Sequence, residues 1–258
     1  MVRSGPGASM GETTMSDAVQ PTIVLVHGAW ADGSSWDAVT RALQAQGYTV
    51  LVPPNPLRGL SEDAAYLASF LAQRPSGPVV LVGHSYGGAV ITNAGASSPD
   101  VRALVYVNAF IPDEGETVVQ ILDGSGSALA VADPTTVFDI AGYPGTPEGA
   151  AEVFLKAEVV HGSFAQDLDE ATRWTIVASQ RPASLVANVS PSGTPAWRSL
   201  PSWAVIGTDD RVIPVAVLRS MAGRAGATVT ELPASHVSMV SHPEVAVEAI
   251  LAAVAATA

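Results

Sequence analysis

Pro78-Val79-Val80-Leu81-Val82-Gly83-His84-Ser85-Tyr86-Gly87-Gly88-Ala89-Val90-Ile91-Thr92-Asn93-Ala94 is the stretch on which the reading of this chain turns. Its first five residues are apolar and mostly β-branched, the pattern of a short strand buried on both faces. The residues from Gly88 onward are small and largely apolar, and suit a helix packed closely on a sheet. Between them lies Gly-x-Ser-x-Gly. In a strand–turn–helix setting this pentapeptide forms a nucleophile elbow, a turn so tight that the serine is held in a strained backbone conformation with its hydroxyl at the mouth of the sheet. Side chains at the flanking positions would clash, which glycine at 83 and 87 avoids. Ser85 is the candidate nucleophile.

A serine hydroxyl is almost wholly protonated at neutral pH, so it needs a base, and the base needs an orienting acid. With an elbow of this kind the three follow in the order serine, acid, histidine. His27 and His84 precede Ser85 and read as structural imidazoles near strand ends. His236 follows a strand pattern, Gly226-Ala227-Thr228-Val229-Thr230-Glu231-Leu232, and then Pro233-Ala234-Ser235. It stands on a loop past a late strand and is the candidate base. His161, in an irregular middle region, and His242, before Pro243, are alternatives. The acid should also follow a strand. Trp203-Ala204-Val205-Ile206 reads as one, and Gly207-Thr208-Asp209-Asp210-Arg211 after it offers two adjacent carboxylates. Asp113, beyond the pattern Leu104-Val105-Tyr106-Val107, is a third.

Acyl chemistry also needs donors for an oxyanion, and two fixed backbone N–H groups can supply several kcal/mol. One candidate is the Tyr86 N–H, at a helix start where the dipole favours negative charge. The other is Ala29, in the loop His27-Gly28-Ala29-Trp30 after the strand Thr22-Ile23-Val24-Leu25-Val26, where Gly28 would let the backbone turn.

The 258 residues suffice for one large α/β domain, and 48% hydrophobic against 14% charged residues suits a sheet covered on both faces. A net charge of −12 argues against nucleic acid and against anionic membranes as partners. The absence of cysteine excludes disulfides and thiolate chemistry, and the scattered histidines show no metal-binding spacing, so no cofactor or metal is expected. No stretch reads as a membrane span. Residues 1–20 are Gly/Ser/Thr-rich, lack the apolar core of a signal peptide and read as a disordered tail before a domain over residues 21–258. A cytoplasmic location is the default expectation, and the oligomeric state is not legible.

Strand and helix patterns alternate along the chain, with helices expected over residues 35–46, 61–73 and 215–225 and after Pro243. Such alternation implies a parallel sheet with right-handed crossovers. Residues 113–199 interrupt it. Helix-like pieces over residues 149–160 and 165–179, separated by Pro/Gly turns such as Tyr143-Pro144-Gly145, suggest a cap over Ser85. Phe138, Phe154, Phe164 and Trp174 are candidates to line a pocket there.

Four stretches, Val24-Leu25-Val26-His27-Gly28-Ala29-Trp30, Gly83-His84-Ser85-Tyr86-Gly87-Gly88, Gly207-Thr208-Asp209-Asp210-Arg211-Val212-Ile213-Pro214 and Ser235-His236-Val237-Ser238-Met239, together resemble the α/β-hydrolase superfamily. Within it they are most similar to small serine esterases related to plant methyl esterases and hydroxynitrile lyases. The resemblance implies the α/β-hydrolase fold, with a mostly parallel sheet of about six strands, helices on both faces and a helical cap insertion. The family's Gly-x-x-Asp pattern selects Asp210 over Asp209, giving Ser85, Asp210 and His236 as the triad. The lysine with which lyases of that group stabilise departing cyanide, directly after the catalytic histidine, is Val237 here, which favours esterase chemistry. A serine at position 85 also sets the chain apart from relatives that use an aspartate nucleophile. The implied activity is hydrolysis of small-molecule esters through an acyl-enzyme without a cofactor. Acyl transfer, C–C hydrolysis by the same triad, or ligand binding without catalysis are the alternatives.

Overall fold

The computed structural model of the chain describes residues 1, 20–75, 77–144 and 150–257. Apart from its two end residues, the tail expected over residues 1–20 lies outside these, as does Gly145. Nine strands among the described residues form two sheets: β1 (Thr22–Val26), β2 (Val50–Leu51), β3 (Val79–His84), β4 (Val101–Val107), β5 (Phe138–Ala141), β6 (Glu152–Leu155), β7 (Ala183–Ser184), β8 (Ser202–Gly207) and β9 (Thr228–Leu232). The larger sheet has the order β2-β1-β3-β4-β8-β9, and every neighbouring pair is parallel. Every residue of β1 and β3 is buried, the consequence of uninterrupted apolar runs in the middle of a sheet covered on both sides. At the edge, β9 is exposed except for Leu232.

Ten helices are described: α1 (Asp37–Gln44), α2 (Leu60–Gln73), α3 (Tyr86–Ala96), α4 (Val118–Leu122), α5 (Ala157–Val159), α6 (Glu170–Ser179), α7 (Leu185–Val189), α8 (Val215–Arg224), α9 (Ser238–Ser241) and α10 (Pro243–Thr257). α3 packs on β1, β3 and β4 and against α2, while α10 packs on β3, β4 and β8 and against α1, so both faces of the sheet are covered. In α10 the buried residues Ala246, Ala249, Ile250, Ala253 and Val254 recur at helical spacing, which turns an alanine-rich segment into a docked stripe. Among the described residues no helix is long and apolar enough to cross a membrane.

The chain passes outward from β1 to β2 and returns on the other side of β1 as β3. That reversal opens a crevice at the carboxyl ends of β1 and β3, the place where open α/β sheets bind ligands. Above it lies the stretch between β4 and β8. It contains α4 to α7, but also an antiparallel sheet of order β5-β6-β7. The helix expected over residues 149–160 is therefore corrected. Glu152-Val153-Phe154-Leu155 alternates, with Val153 and Leu155 buried and their neighbours half-buried, a period of two that a strand satisfies and a helix does not. The next expected helix starts later than residue 165. A π-turn occupies Val160–Phe164, and α6 begins only after Asp169, whose carboxylate caps the Thr172 N–H.

Leu81→Ala, on the fully buried β3, should cost about 2–5 kcal/mol of unfolding free energy. Trp174→Ala, on the exposed side of α6, should change it by about 0.5 kcal/mol or less. Denaturant titration of the two variants checks the contrast.

Candidate active site

Ser85 connects β3 to α3 with φ 52° and ψ −124°, a conformation that non-glycine residues rarely adopt. Its neighbours permit it. A Cβ on Gly83 would stand 2.6 Å from the Gly87 carbonyl oxygen, and one on Gly87 would stand 2.5 Å from that of Val26. The strained turn delivers the hydroxyl to an imidazole: Ser85 Oγ lies 2.8 Å from His236 Nε2, and His236 Nδ1 lies 2.8 Å from Asp210 Oδ2. An ionised carboxylate only accepts, so Nδ1 carries the proton and Nε2 is left to accept from serine. All three residues are buried.

Asp210 is saturated with donors. Its Oδ1 accepts the N–H groups of Val212 (2.8 Å) and Ile213 (2.9 Å), and Oδ2 also accepts Asn108 Nδ2 (2.9 Å). Asn108 Oδ1 in turn accepts from Ser238 Oγ at 2.6 Å. Asn108 follows β4 with φ 44° and stands outside the residues that the sequence pattern picks out for the site. The available signal is a polar residue closing an apolar strand in Val107-Asn108-Ala109-Phe110.

The alternatives are elsewhere. Asp209 is exposed, and its carbonyl accepts from Gln166 Nε2 at 2.7 Å. Asp113 pairs with Arg198 at 2.6 Å. The His161 ring packs edge-on against Trp174, and His242 stands 3.4 Å from Glu244. The two histidines that precede the elbow are buried and tied to backbone. His27 Nε2 accepts the Asn55 N–H at 3.2 Å, and His84 Nε2 donates to the His236 carbonyl at 3.0 Å. Burial holds His84 well below its ordinary 6.5, and His27 below it as well, so both stay neutral, His84 with its ring 4.9 Å from that of the candidate base.

Ala29 and Tyr86 both border the cavity above Ser85. The Tyr86 N–H opens α3 and has no intrahelical acceptor, and the Ala29 N–H donates to no backbone carbonyl of the described residues. Gly28 has a different task from the expected turn. It carries no positive φ, but a Cβ there would come within 2.6 Å of Ser85 Cβ and 2.9 Å of the His84 carbonyl oxygen. The left-handed residue of this loop is Trp30, φ 58°, whose Nε1 donates to the Val153 carbonyl at 2.9 Å. Behind the elbow, Tyr86 OH donates to Asp63 at 2.8 Å, and burial raises that carboxyl above its ordinary 3.8.

The cavity measures about 450 Å³. Leu122, Phe138, Ile140, Val153, Leu185 and Val189 contribute to its wall, and among the described residues no charged side chain does. Of the four aromatics expected to line it, only Phe138 does so. Phe164 instead packs against the His236 ring (centroids 5.1 Å apart), while Trp174 stands on the surface. Phe154 belongs to the half-buried row of β6, opposite in direction to Val153.

Residues 23–249 match the model of the alpha/beta hydrolase family. The chain belongs to that family. A pyrethroid hydrolase of Sphingobium wenxiniae (strain DSM 21828 / CGMCC 1.7748 / JZ-1) is 32% identical to it over 255 residues, covering 88% of this chain and 85% of that protein. A carbendazim hydrolyzing esterase of Nocardioides sp. (strain SG-4G) is 37% identical over 111 residues, 38% of this chain, and the match spans less than half of that relative (46%). Among solved structures, polyneuridine aldehyde esterase superposes with a TM-score of 0.76 at 22% identity, over 90% of this chain and 98% of the other, and so shares the fold.

The two neutral histidines carry a pH signature. A histidine whose pKa is lower in the folded state than its unfolded 6.5 binds its proton more readily in the unfolded chain. Its stabilising contribution is complete above about pH 6.5 and is lost as pH falls below that value, by up to about 1.4 kcal/mol per pH unit for each group. His84→Gln, which keeps a donor for the His236 carbonyl, should flatten the fall in unfolding free energy between about pH 6.5 and 5 by close to one proton. Denaturant titrations at several pH values check this.

Proposed function

We propose that this chain is a serine carboxylesterase that hydrolyses uncharged small-molecule esters through an acyl-enzyme. The observation that carries the reading is the buried hydrogen-bonded series from Ser85 through His236 to Asp210, opening on an apolar cavity. Relatives named esterase and hydrolase support ester hydrolysis as the chemistry of this alpha/beta hydrolase.

In the proposed cycle His236 Nε2 takes the Ser85 proton as Oγ attacks the ester carbonyl carbon. The N–H groups of Ala29 and Tyr86 stabilise the oxyanion, aided by the positive end of α3. Asp210 holds the imidazole by Nδ1 and stabilises its charged form. The imidazolium then protonates the leaving alcohol as the ester C–O bond breaks. Water enters, His236 removes one of its protons, and hydroxide attacks the acyl carbon. Ser85 leaves with the proton returned from His236, and the free acid departs. Neutral His84 matters here, because a second cation beside His236 would oppose its protonation.

Residues 113–199 act in this reading as a cap whose apolar residues select the substrate. A carboxylate or phosphate on the ester would lose its hydration with no cation among the described residues of the wall to replace it, within a chain of net charge −12.

A series of p-nitrophenyl esters, from acetate to decanoate, tests the reaction. Ser85→Ala should lose about 10,000-fold or more in kcat while its unfolding profile stays near wild type. Turnover by Ser85→Ala at the wild-type rate would overturn the assignment. Asn108→Gly keeps the left-handed backbone but removes the bond to Asp210 Oδ2, which at about 1.5–3 kcal/mol for a bond to a charged group predicts a roughly ten- to hundredfold fall in kcat. Asn108 is a positioning residue, so KM should change little. A matching rise in KM would count against that role.

A further inference from the structure

Among the described residues of the wall, four side chains carry polar atoms. Trp30 Nε1 donates to the Val153 carbonyl (2.9 Å), Tyr86 OH to Asp63 (2.8 Å), and Ser85 Oγ is engaged with His236 (2.8 Å). The remaining polar side chain of the wall is Asn188, whose amide makes no hydrogen bond to another described residue.

Its position is fixed by its surroundings. Asn188 lies on α7 three residues after Leu185 and one before Val189, and all three line the cavity, as residues on one helical face do. Ala187, on the other side, is fully buried. The start of the helix is pinned: the Ser184 N–H donates to the Leu57 carbonyl (2.9 Å), the Leu185 N–H to the Ala151 carbonyl (2.9 Å), and Ser184 Oγ accepts the Val186 N–H (3.3 Å). The amide is thus presented by an anchored element.

An amide on an apolar wall is satisfied by water while the cavity is open to solvent. A substrate that fills the cavity displaces that water, and a purely apolar group would leave both the donor and the acceptor unpaired. A substrate oxygen at that place would pair with it. The same asymmetry lets a single polar group in a binding site reject analogues that lack the matching atom.

We propose that Asn188 is a specificity-determining residue that hydrogen-bonds an ether, carbonyl or hydroxyl oxygen of the substrate, away from the scissile carbonyl. The preferred substrates are then large, uncharged, mainly apolar esters that carry one internal polar oxygen. The inference rests on the esterase reading for its turnover assay, though not for its binding assay.

The test compares p-nitrophenyl esters of plain C6, C8 and C10 acids with chains of equal length in which one methylene is replaced by an ether oxygen at successive positions. Alkyl 4-nitrobenzoates varied in the same way cover the alcohol side. The wild type should prefer the ether-bearing ester at one position by about tenfold or more in kcat/KM. In Asn188→Leu the ratio of ether-bearing to plain ester should fall at least tenfold, mainly through KM, and Asn188→Gln should restore part of it. A wild type that disfavours the ether at every position overturns the proposal. So does an Asn188→Leu variant that lowers both members of a pair by the same factor, the result of a purely structural role. Binding of the corresponding methyl ketones to wild type and Asn188→Leu, measured by calorimetry, gives the same ratio without turnover. Loss of ester hydrolysis alone would therefore sink the esterase reading, while the ketone pairs still decide the role of Asn188.

Discussion

A carboxylate buried as deeply as that of Asp210 is stable only when its lone pairs are filled, and filling them fixes several pieces of chain at once. Two donors, Val212 and Ile213, come from the loop after β8, one from the end of β4 through Asn108, and one from the loop after β9 through His236. These elements are neighbours because β4, β8 and β9 are adjacent and parallel, so their carboxyl ends emerge at the same edge. Ser238 closes the arrangement by bonding Asn108 from two residues past His236. The imidazole is thereby oriented before any substrate arrives, which is what preorganised acyl chemistry requires.

The other half of the arrangement is the elbow. Strain of about 1–3 kcal/mol at Ser85 has to be offset by the packing around it, and α3 supplies that packing, with nearly every residue from Tyr86 to Gly95 buried. Tyr86 binds the start of this helix to α2 through Asp63. The same side chain that anchors the turn belongs to a residue that lines the cavity, so in the proposed mechanism anchoring and oxyanion binding would fall to one residue. Asp63 tolerates burial because it accepts the tyrosine hydroxyl and the Arg58 N–H.

What could be read from the sequence follows the range of each interaction. The strands of the large sheet were legible because burial on both faces writes itself as unbroken apolar runs, and the elbow because its constraint spans five consecutive residues. The choice between Asp209 and Asp210 was not set by any local pattern, only by the family resemblance, since it depends on which side chain turns inward after β8. Asn108 escaped because its partners are more than a hundred residues away. Gly28 reads in the sequence as a turn, whereas in the fold it leaves room for Ser85, a contact between the ends of separate strands. Between β4 and β8 the elements are short, and a four-residue strand such as β6 carries too few periods to be told from a helical turn.

That intervening stretch is less independent of the chemistry than an insertion between two strands would suggest. Arg211 donates to the Gly162 carbonyl (2.7 Å), Gln166 to that of Asp209 (2.7 Å), and the Ser235 N–H to Asp167 (2.9 Å). Phe164, between these contacts, packs its ring against His236. Residues 162–167 therefore brace both the loop that holds Asp210 and the loop that holds His236. On the opposite side Trp30 ties the loop of Ala29 to β6. Substitutions on the far wall, at α7, can reshape the cavity while leaving these ties intact, whereas Phe138 of β5 stacks on Trp30 (centroids 5.5 Å apart). Substitutions in residues 162–167 or in β6 cannot do so without disturbing the loops that carry Asp210, His236 or Ala29. Selectivity can therefore change most freely on α7, where Leu185, Asn188 and Val189 face the cavity, while residues 162–167 are held by their bonds to the loops of Asp210 and His236.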